Sequence, residues 1–335
     1  MKTGIIGTGA ALPPRVVDNE ELARDLTVTA AWIGERTGVR ERRYADIDVA
    51  TSDLATRAAV EALADAGLSA ADLDLIVVGT STPDQPQPAT GCLVQRRLGA
   101  VNAAAFDVNS VCTSFVFALD AARSMLEADP RRRFALVLGA DTYSRIVDPA
   151  DHRSSVLFGD GAGAVVLGPV PEDEGVLTTT LRSDGHLSHL VEVRGGGSRE
   201  PLTARSLAAG ADRFTMRGRE VRDYVEEVVP AVLADLLKDA GLDLEDIDHV
   251  VPHQANARLL RSCFAEHGIT GSRLHLTCPT LGNTAAASIP LTLHDAVTAG
   301  RIAPGDLVAL VGVGGGMSAG GALVRWSRPG AGVVR

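Results

Sequence analysis

"ADAGLSAADLDLIVVGTST" (Ala64 to Thr82) and "KDAGLDLEDIDHVVPHQAN" (Lys238 to Asn256) follow one pattern. Each ends a helix at Ala-Gly-Leu, turns at Ser or Asp with acidic residues behind it, and enters a buried strand. Later in each half a glycine-rich segment runs into a strand, "FGDGAGAVVLG" from Phe158 and "VGVGGGMSAGGALVRW" from Val311. A 335-residue chain written this way is a duplicated α/β unit. Its strands are rich in Val, Ile and Leu on both faces. They alternate with amphipathic helices at Ser52 to Ala66, Val221 to Ala240 and Ser288 to Ala299, which implies sheets covered by helices on both sides. Two such halves, 1–170 and 171–335, stack as α/β/α/β/α layers, with a site where their strand ends meet. Leu181 to Met216, with "RGGGSREP", is the expected long loop between them.

One junction in the first half carries a lone cysteine. In "FDVNSVCTSFVFALDAARSML", the run Ala103 to Val108 is expected to end a buried strand, while Phe115, Val116, Leu119, Ala122 and Leu126 recur at helical spacing. Cys112 falls between them, with Thr113 or Ser114 as the expected helix cap. Unpaired N–H groups and the positive end of a helix dipole favour a thiolate there, which is how a nucleophile is made. The second half offers partners at matching places. His253 follows the strand Val250-Val251 and precedes a helix expected from about Ala255; Asn283 lies in a Gly-Asn-Thr turn before another helix, with Thr284 as its expected cap. Taken singly, each has an ordinary structural reading: core filler, hydrogen-bonded histidine, turn asparagine. Three such junctions in one duplicated chain outweigh it.

Other chemistries fit less well. A net charge of −10, with basic residues scattered apart from Arg40 to Arg43 and Arg131 to Arg133, argues against nucleic-acid binding. Cys92, Cys112, Cys263 and Cys278 lack CxxC spacing and no secretory segment is seen, so a reduced, cytoplasmic setting is expected. Apolar runs are too short to span a membrane. "GIIGTGAALP" lacks the downstream acidic residue of a dinucleotide site and is read as a tight turn, while "GDGAG" precedes a strand and is read as close backbone packing. His249, His253, Cys263, His267, His275 and Cys278 match no metal-ligand spacing, so no metal is expected.

The segments "AWIGERTGVRERR", "DVNSVCTSF", "FGDGAGAVVL", "MRGREV", "VPHQANARLL", "GNTAAASIPL" and "VGGGMSAGGALVRW" resemble, in order and spacing, the β-ketoacyl-acyl carrier protein synthase III family of the thiolase superfamily. The resemblance runs from about Gly4 to Trp326 and implies a thiolase-like fold. It implies that Cys112 takes a primer acyl group from acyl-coenzyme A or an acyl carrier protein. A malonyl thioester then condenses with it decarboxylatively, assisted by His253 and Asn283. Backbone N–H groups of Cys112 and Gly316 would form the oxyanion hole. Trp32, Arg36, His152, Arg153, Asn256 and Arg258 would contact coenzyme A, and Gln87 would gate the primer pocket across a homodimer interface. No permanently bound cofactor is implied.

Departures from the family pattern bear on specificity. His152 stands where relatives have an arginine over the adenine, and Asp223, beside Arg222, stands where a carrier-docking base is common. Ser114 replaces a glycine, "MSAGG" replaces a bulkier stretch, and the polar Gln87 suggests a short or polar primer. A non-condensing acyltransferase of the same fold, moving the acyl group to a hydroxyl or amine, is the main alternative. A silent subunit or scaffold is a second, disfavoured by the intact Cys, His and Asn. A role in a specialised pathway, such as polyketide priming, is the broader expectation.

Overall fold

Each half of the chain builds one large sheet and one two-stranded ribbon. In the computed structural model, which describes residues 2–327, the first sheet has five strands. They are β1 (Lys2–Ala11), β2 (Leu75–Gly79), β3 (Ala104–Val108), β4 (Ala135–Thr142) and β5 (Asp160–Val170), in the order β1-β5-β4-β2-β3. β2 is parallel to β3 and β4; β5 is antiparallel to β4 and β1. The second sheet has β6 (Gly175–Ser183), β7 (His249–Pro252), β8 (Leu307–Gly314) and β9 (Ser318–Arg325), in the order β7-β8-β9-β6. Here β7 is parallel to β8, and the other pairs are antiparallel. β2, β4, β5 and β1 therefore match β7, β8, β9 and β6 in order and direction. β3 has a reduced counterpart, a single parallel bridge between Val250 and Leu274.

Seven helices position the site: α1 (Ala30–Thr37), α2 (Thr51–Ala66), α3 (Thr90–Leu98), α4 (Ser114–Ala128), α5 (Gly218–Ala240), α6 (Ala257–Ala265) and α7 (Ser288–Thr298). The period-2 alternation of the strands assigns the layers. Leu75 and Val77 of β2 face inward onto α4 and α7, while Ile76 and Val78 face outward onto α2 and α3. Val308 and Leu310 of β8 close on α4 and α7 from the other side, and Leu307, Ala309 and Val311 pack under α5 and α6. The result is the α/β/α/β/α thiolase-like stack, with two helices at its centre. No helix among the described residues is long and apolar enough to cross a membrane.

The repeated Ala-Gly-Leu has one physical cause in both halves. Gly67 and Gly241 adopt the left-handed conformation (φ 66° and 67°), which lets Leu68 and Leu242 donate back to Leu63 and Leu237 at 3.0 Å each. The next turn closes with Ser69 N–H on Asp72 and Asp243 N–H on Asp246, both at 2.8 Å.

Two expectations are corrected here. The glycines of "GIIGTGAALP" form no turn; they lie within β1, where a Cβ on Gly9 would stand 2.3 Å from the Ala58 carbonyl oxygen of α2. Close helix–strand approach, not a bend, requires them. β3 is not buried within this chain either, because it is the outer strand of its sheet and leaves Phe106 and Val108 half-exposed.

The reading of "GDGAG" as close packing agrees with the structure, since a Cβ on Gly163 would stand 2.6 Å from the Leu291 nitrogen of α7. Gly139 of β4 is tighter still, at 2.1 Å from the Ala286 carbonyl oxygen. Gly139→Ala is therefore expected to cost ~3 kcal/mol, because rigid backbone must move. Urea unfolding checks it; a loss under about 1 kcal/mol would mean the contact yields freely.

Candidate active site

Cys112 and Asn283 occupy equivalent places in the two halves. Each follows the outermost strand position of its sheet and reaches a central helix through one 3-10 turn, Val111–Thr113 before α4 and Ala285–Ala287 before α7. Each turn holds one non-glycine residue in the left-handed region, Val111 (φ 51°) and Ala285 (φ 49°). Such residues cost roughly 1–2 kcal/mol apiece and persist only where neighbours enforce them.

The enforcing contacts replace the expected caps. Ser114 accepts from Ser110 N–H at 2.8 Å and donates to the Val111 carbonyl at 2.6 Å, so it ties the nucleophile turn instead of capping α4. The Thr113 hydroxyl meets Ser318 Oγ at 3.0 Å. Thr284 makes no cap either, and the 283–287 turn is held by three other bonds. Ala285 N–H donates to Asn283 Oδ1 (2.9 Å), Ser288 donates to the Ala285 carbonyl (2.7 Å), and Ala286 N–H donates to Asp141 Oδ2 (2.9 Å). With Oδ1 engaged, Asn283 presents its amide N–H groups to the cleft it lines.

His253 leaves β7 with its N–H on the Val311 carbonyl at 2.7 Å. Its Nδ1 lies 2.7 Å from Ser288 Oγ. Since the single Ser288 proton goes to Ala285, Nδ1 carries the hydrogen and Nε2 keeps a free lone pair. Burial holds the imidazole neutral, lowering its pKa to about 4. The sign follows from linkage. Between about pH 6.5 and pH 4 the unfolded chain binds a proton at this residue that the folded chain refuses, so stability from neutral His253 is present above that window and lost as pH falls through it. His253→Gln is accordingly expected to lose less stability than wild type between pH 7 and pH 5. Parallel pH dependences in urea melts would contradict a buried neutral imidazole.

The expected thiolate is corrected. Cys112 is only 8% exposed, and burial, reinforced by Asp141, pushes its thiol well up; the Tyr143 hydroxyl and its own N–H oppose this without cancelling it. Tyr143 is fixed from behind. Its ring stacks on Phe158 (4.5 Å) and meets Phe214 edge-on (5.6 Å), and its hydroxyl lies 3.0 Å from Ser81 Oγ.

Cys112, His253 and Asn283 share one apolar cleft of about 610 Å³ with Phe158 and Phe214. Met216, Val221, Ala255 and Asn283 also line a more polar cavity of about 1070 Å³, so the two form one passage to the surface. At its outer end are Arg36, Asn256 and Arg258. Arg36 stacks over Trp32 (6.0 Å), and Trp32 meets His152 edge-on (5.7 Å).

Other expected site residues are placed differently. Asn256 is first the N-cap of α6, which starts at Ala257 and not near Ala255; it accepts from Arg258 and Leu259 N–H at 2.9 and 3.0 Å. Arg258 donates to the Glu35 carbonyl. Arg153 is exposed and pairs with Asp151 at 2.8 Å. Gln87 is exposed and outside the cleft walls of this chain. Gly314 and Gly315 line the cleft, and Gly316 does not. Arg222 is held by Glu226 at 2.9 Å, beside an exposed Asp223.

Sequence reasoning treated the 181–216 segment as a linker, yet Val191, Phe214 and Met216 from it line the cleft. The signal was there: Leu190-Val191 and the alternating Phe214 and Met216 are apolar pairs of the kind that are buried, standing on either side of a glycine-rich stretch. The histidines considered for a metal bond in a line instead. His275 Nε2 is 3.0 Å from His249 Nδ1, and His249 Nε2 is 3.1 Å from Asp306.

Two family models match the chain, 3-oxoacyl-[acyl-carrier-protein (ACP)] synthase III over residues 106–185 and its C-terminal region over 237–326. Acetoacetyl CoA synthase NphT7 of Streptomyces sp. (strain CL190) is 50% identical over 324 residues, spanning 96% of this chain and 98% of that protein. A beta-ketoacyl-[acyl-carrier-protein] synthase III of Rhodospirillum centenum is 46% identical over 97% of this chain and 99% of its own. Among solved structures, the 3-oxoacyl-[acyl-carrier-protein] synthase III of Aquifex aeolicus VF5 is similar with a TM-score of 0.89 at 36% identity, covering 97% of this chain and 100% of that one. The priming beta-ketosynthase of the R1128 polyketide biosynthetic pathway gives 0.90 at 31%, covering 98% and 97%.

Proposed function

Because the chain belongs to the 3-oxoacyl-[acyl-carrier-protein] synthase III family of condensing acyltransferases, we propose how its own residues divide that chemistry and which substrates they take. Cys112 attacks the carbonyl of an acyl-coenzyme A thioester. The neutral His253 accepts the thiol proton at Nε2, which a buried thiol requires, and passes it to the coenzyme A sulfur as the acyl carbon–sulfur bond breaks, so coenzyme A leaves as the thiol and the imidazole is neutral again. The carbonyl oxygen of the acyl group faces the Cys112 N–H and the Gly314–Gly316 backbone, where Gly316 was the expected second donor.

A malonyl thioester then enters by the same passage. As carbon dioxide leaves, negative charge grows on its thioester oxygen, and the Asn283 amide donates to it, with the neutral His253 beside it in the cleft. The enolate carbon attacks the acyl carbonyl. The Cys112 sulfur departs as the thiolate and takes up a proton from solvent by way of His253 Nε2, which closes the cycle and supplies the one proton that loss of the carboxylate consumes. The observation that supports this most is the engaged Oδ1 of Asn283 at the foot of an apolar passage shared with Cys112 and His253.

The primer in this reading is short, an acetyl group foremost. The rings of Tyr143, Phe158 and Phe214 pack against one another in the same cluster as Cys112, and the relative NphT7 is named for an acetoacetyl product. The malonyl donor is its coenzyme A thioester in preference to a carrier protein, since Asp223 is exposed and Arg222 is already paired. Trp32, Arg36 and His152 receive the nucleotide end, with Arg258 on the passage wall.

A second copy of the chain covers the free edge of β3 and its half-exposed Phe106 and Val108, and supplies Gln87 to the neighbouring pocket. The four cysteines are free, in keeping with a cytoplasmic enzyme, and no cofactor stays bound. Intact-mass acylation rates with acetyl- and hexanoyl-coenzyme A test the primer. Acetyl is expected to win by at least ~10-fold, and equal rates would contradict the short primer. Gln87→Phe should then alter the ratio, and an unchanged ratio would count against its place at the pocket.

A further inference from the structure

Asp141, next to last in β4, is fully buried, and among the described residues no Arg or Lys pairs with it. A carboxylate in that position is costly unless hydrogen bonds replace its water. Oδ1 accepts from the end of β2: Thr80 Oγ (3.0 Å), Ser81 N (2.9 Å) and Oγ (3.3 Å), and Thr82 N (3.0 Å) and Oγ (2.7 Å). Oδ2 accepts one bond, from Ala286 N–H at 2.9 Å, across the boundary between the two halves of the chain.

That single bond falls on the turn that carries Asn283. Ala285 beside it is in the left-handed region, and Asn283 Oδ1 is turned inward onto the Ala285 N–H. Without an acceptor for Ala286 N–H, the left-handed residue loses one of its restraints and the Asn283 amide its fixed direction. The first half thus reaches over and sets a residue of the second.

We propose that Asp141 is a positioning residue for decarboxylation, anchoring the 283–287 turn so that the Asn283 amide is aimed at the thioester oxygen of the malonyl group. This rests on the role given to Asn283 above.

Asp141→Asn isolates the contact. Its Oδ1 still serves the donors of β2, while its NH₂ opposes the Ala286 N–H. Acylation of Cys112 by acetyl-coenzyme A, read by intact mass, and carbon dioxide release from malonyl-coenzyme A are measured for Asp141→Asn, Asn283→Ala and the double variant. Carbon dioxide release is expected to fall ~10–100-fold in Asp141→Asn, with acylation no slower than wild type, because loss of the Asp141 charge only eases ionisation of Cys112. The double variant should be no slower than Asn283→Ala alone, because Asp141 acts through Asn283.

Equal losses in both half-reactions, or additive losses in the double variant, would overturn the proposal and leave Asp141 a structural residue. Asn283→Ala releasing carbon dioxide at the wild-type rate would overturn it at its base, through the role of Asn283. Asp74→Asn is the control. Asp74 accepts from Arg133 and Phe134 N–H just before the start of β2, whereas Asp141 is held beyond the other end of that strand, and its loss should show no such split between half-reactions. Should Asp141→Asn fail to fold, Thr80→Val loosens the carboxylate from the β2 side. The same split, several-fold, supports the proposal; parallel losses contradict it.

Discussion

Cys112→Ala is expected to abolish acylation, with condensation down by about 10⁴-fold or more, while the protein still releases carbon dioxide from malonyl-coenzyme A. The split follows from where the residues sit. Cys112 lies in the turn before α4, while His253 and Asn283 come from the second half of the chain, and none of the hydrogen bonds that orient them comes from Cys112. Acylation-rate and gas-release assays on one preparation check it. Loss of both activities together, with the fold intact by circular dichroism, would mean that the sulfur is needed to aim the Asn283 amide.

Asn283→Ala should do the reverse. Cys112 is acylated at close to the wild-type rate, whereas decarboxylation falls ~10²–10³-fold, the usual loss when one preorganised donor to a developing oxyanion is removed. The amide is preorganised because its oxygen is committed to Ala285 N–H, so no reorientation is needed as charge develops. Asn283→Asp keeps the shape and the accepting oxygen but replaces the donor with a charge that repels the enolate, so it should be at least as slow. An aspartate variant as fast as wild type would show that the amide donates nothing.

The fold was largely legible because its repeat is local chemistry. Ala-Gly-Leu followed by a Ser or Asp turn dictates the same left-handed stop and the same closing bond in both halves, at Gly67 and Gly241. Strand alternation then fixes which faces are covered. The three central site residues were legible for the same reason, since each follows a strand end of the duplicated unit.

What escaped was set by packing between segments distant in sequence. "GIIGTG" has the look of a turn, and only the approach of α2 at Ala58 and Ala62 shows that its glycines make room inside a strand. The helix terminus at Cys112 argues for a thiolate, but packing α4 between two sheets removes the water that an anion needs, and desolvation outweighs the dipole. Asp141 is in the same position: nothing near "GADTYS" announces that its carboxylate meets Ala286. The apolar composition of Ala103 to Val108 argues for a buried strand, but burial also depends on the place in the sheet, and β3 takes the outer one.

Intact-mass spectrometry on the purified wild-type protein tests the central claim most directly. It is treated with acetyl-coenzyme A, desalted, and chased with malonyl-coenzyme A. The expected result is a single acetyl adduct, absent in Cys112→Ala, that disappears in the chase as carbon dioxide and an acetoacetyl thioester are formed in equal amounts. An adduct that survives the malonyl chase and is discharged only by an alcohol or an amine would contradict the condensation and leave the same cleft serving plain acyl transfer.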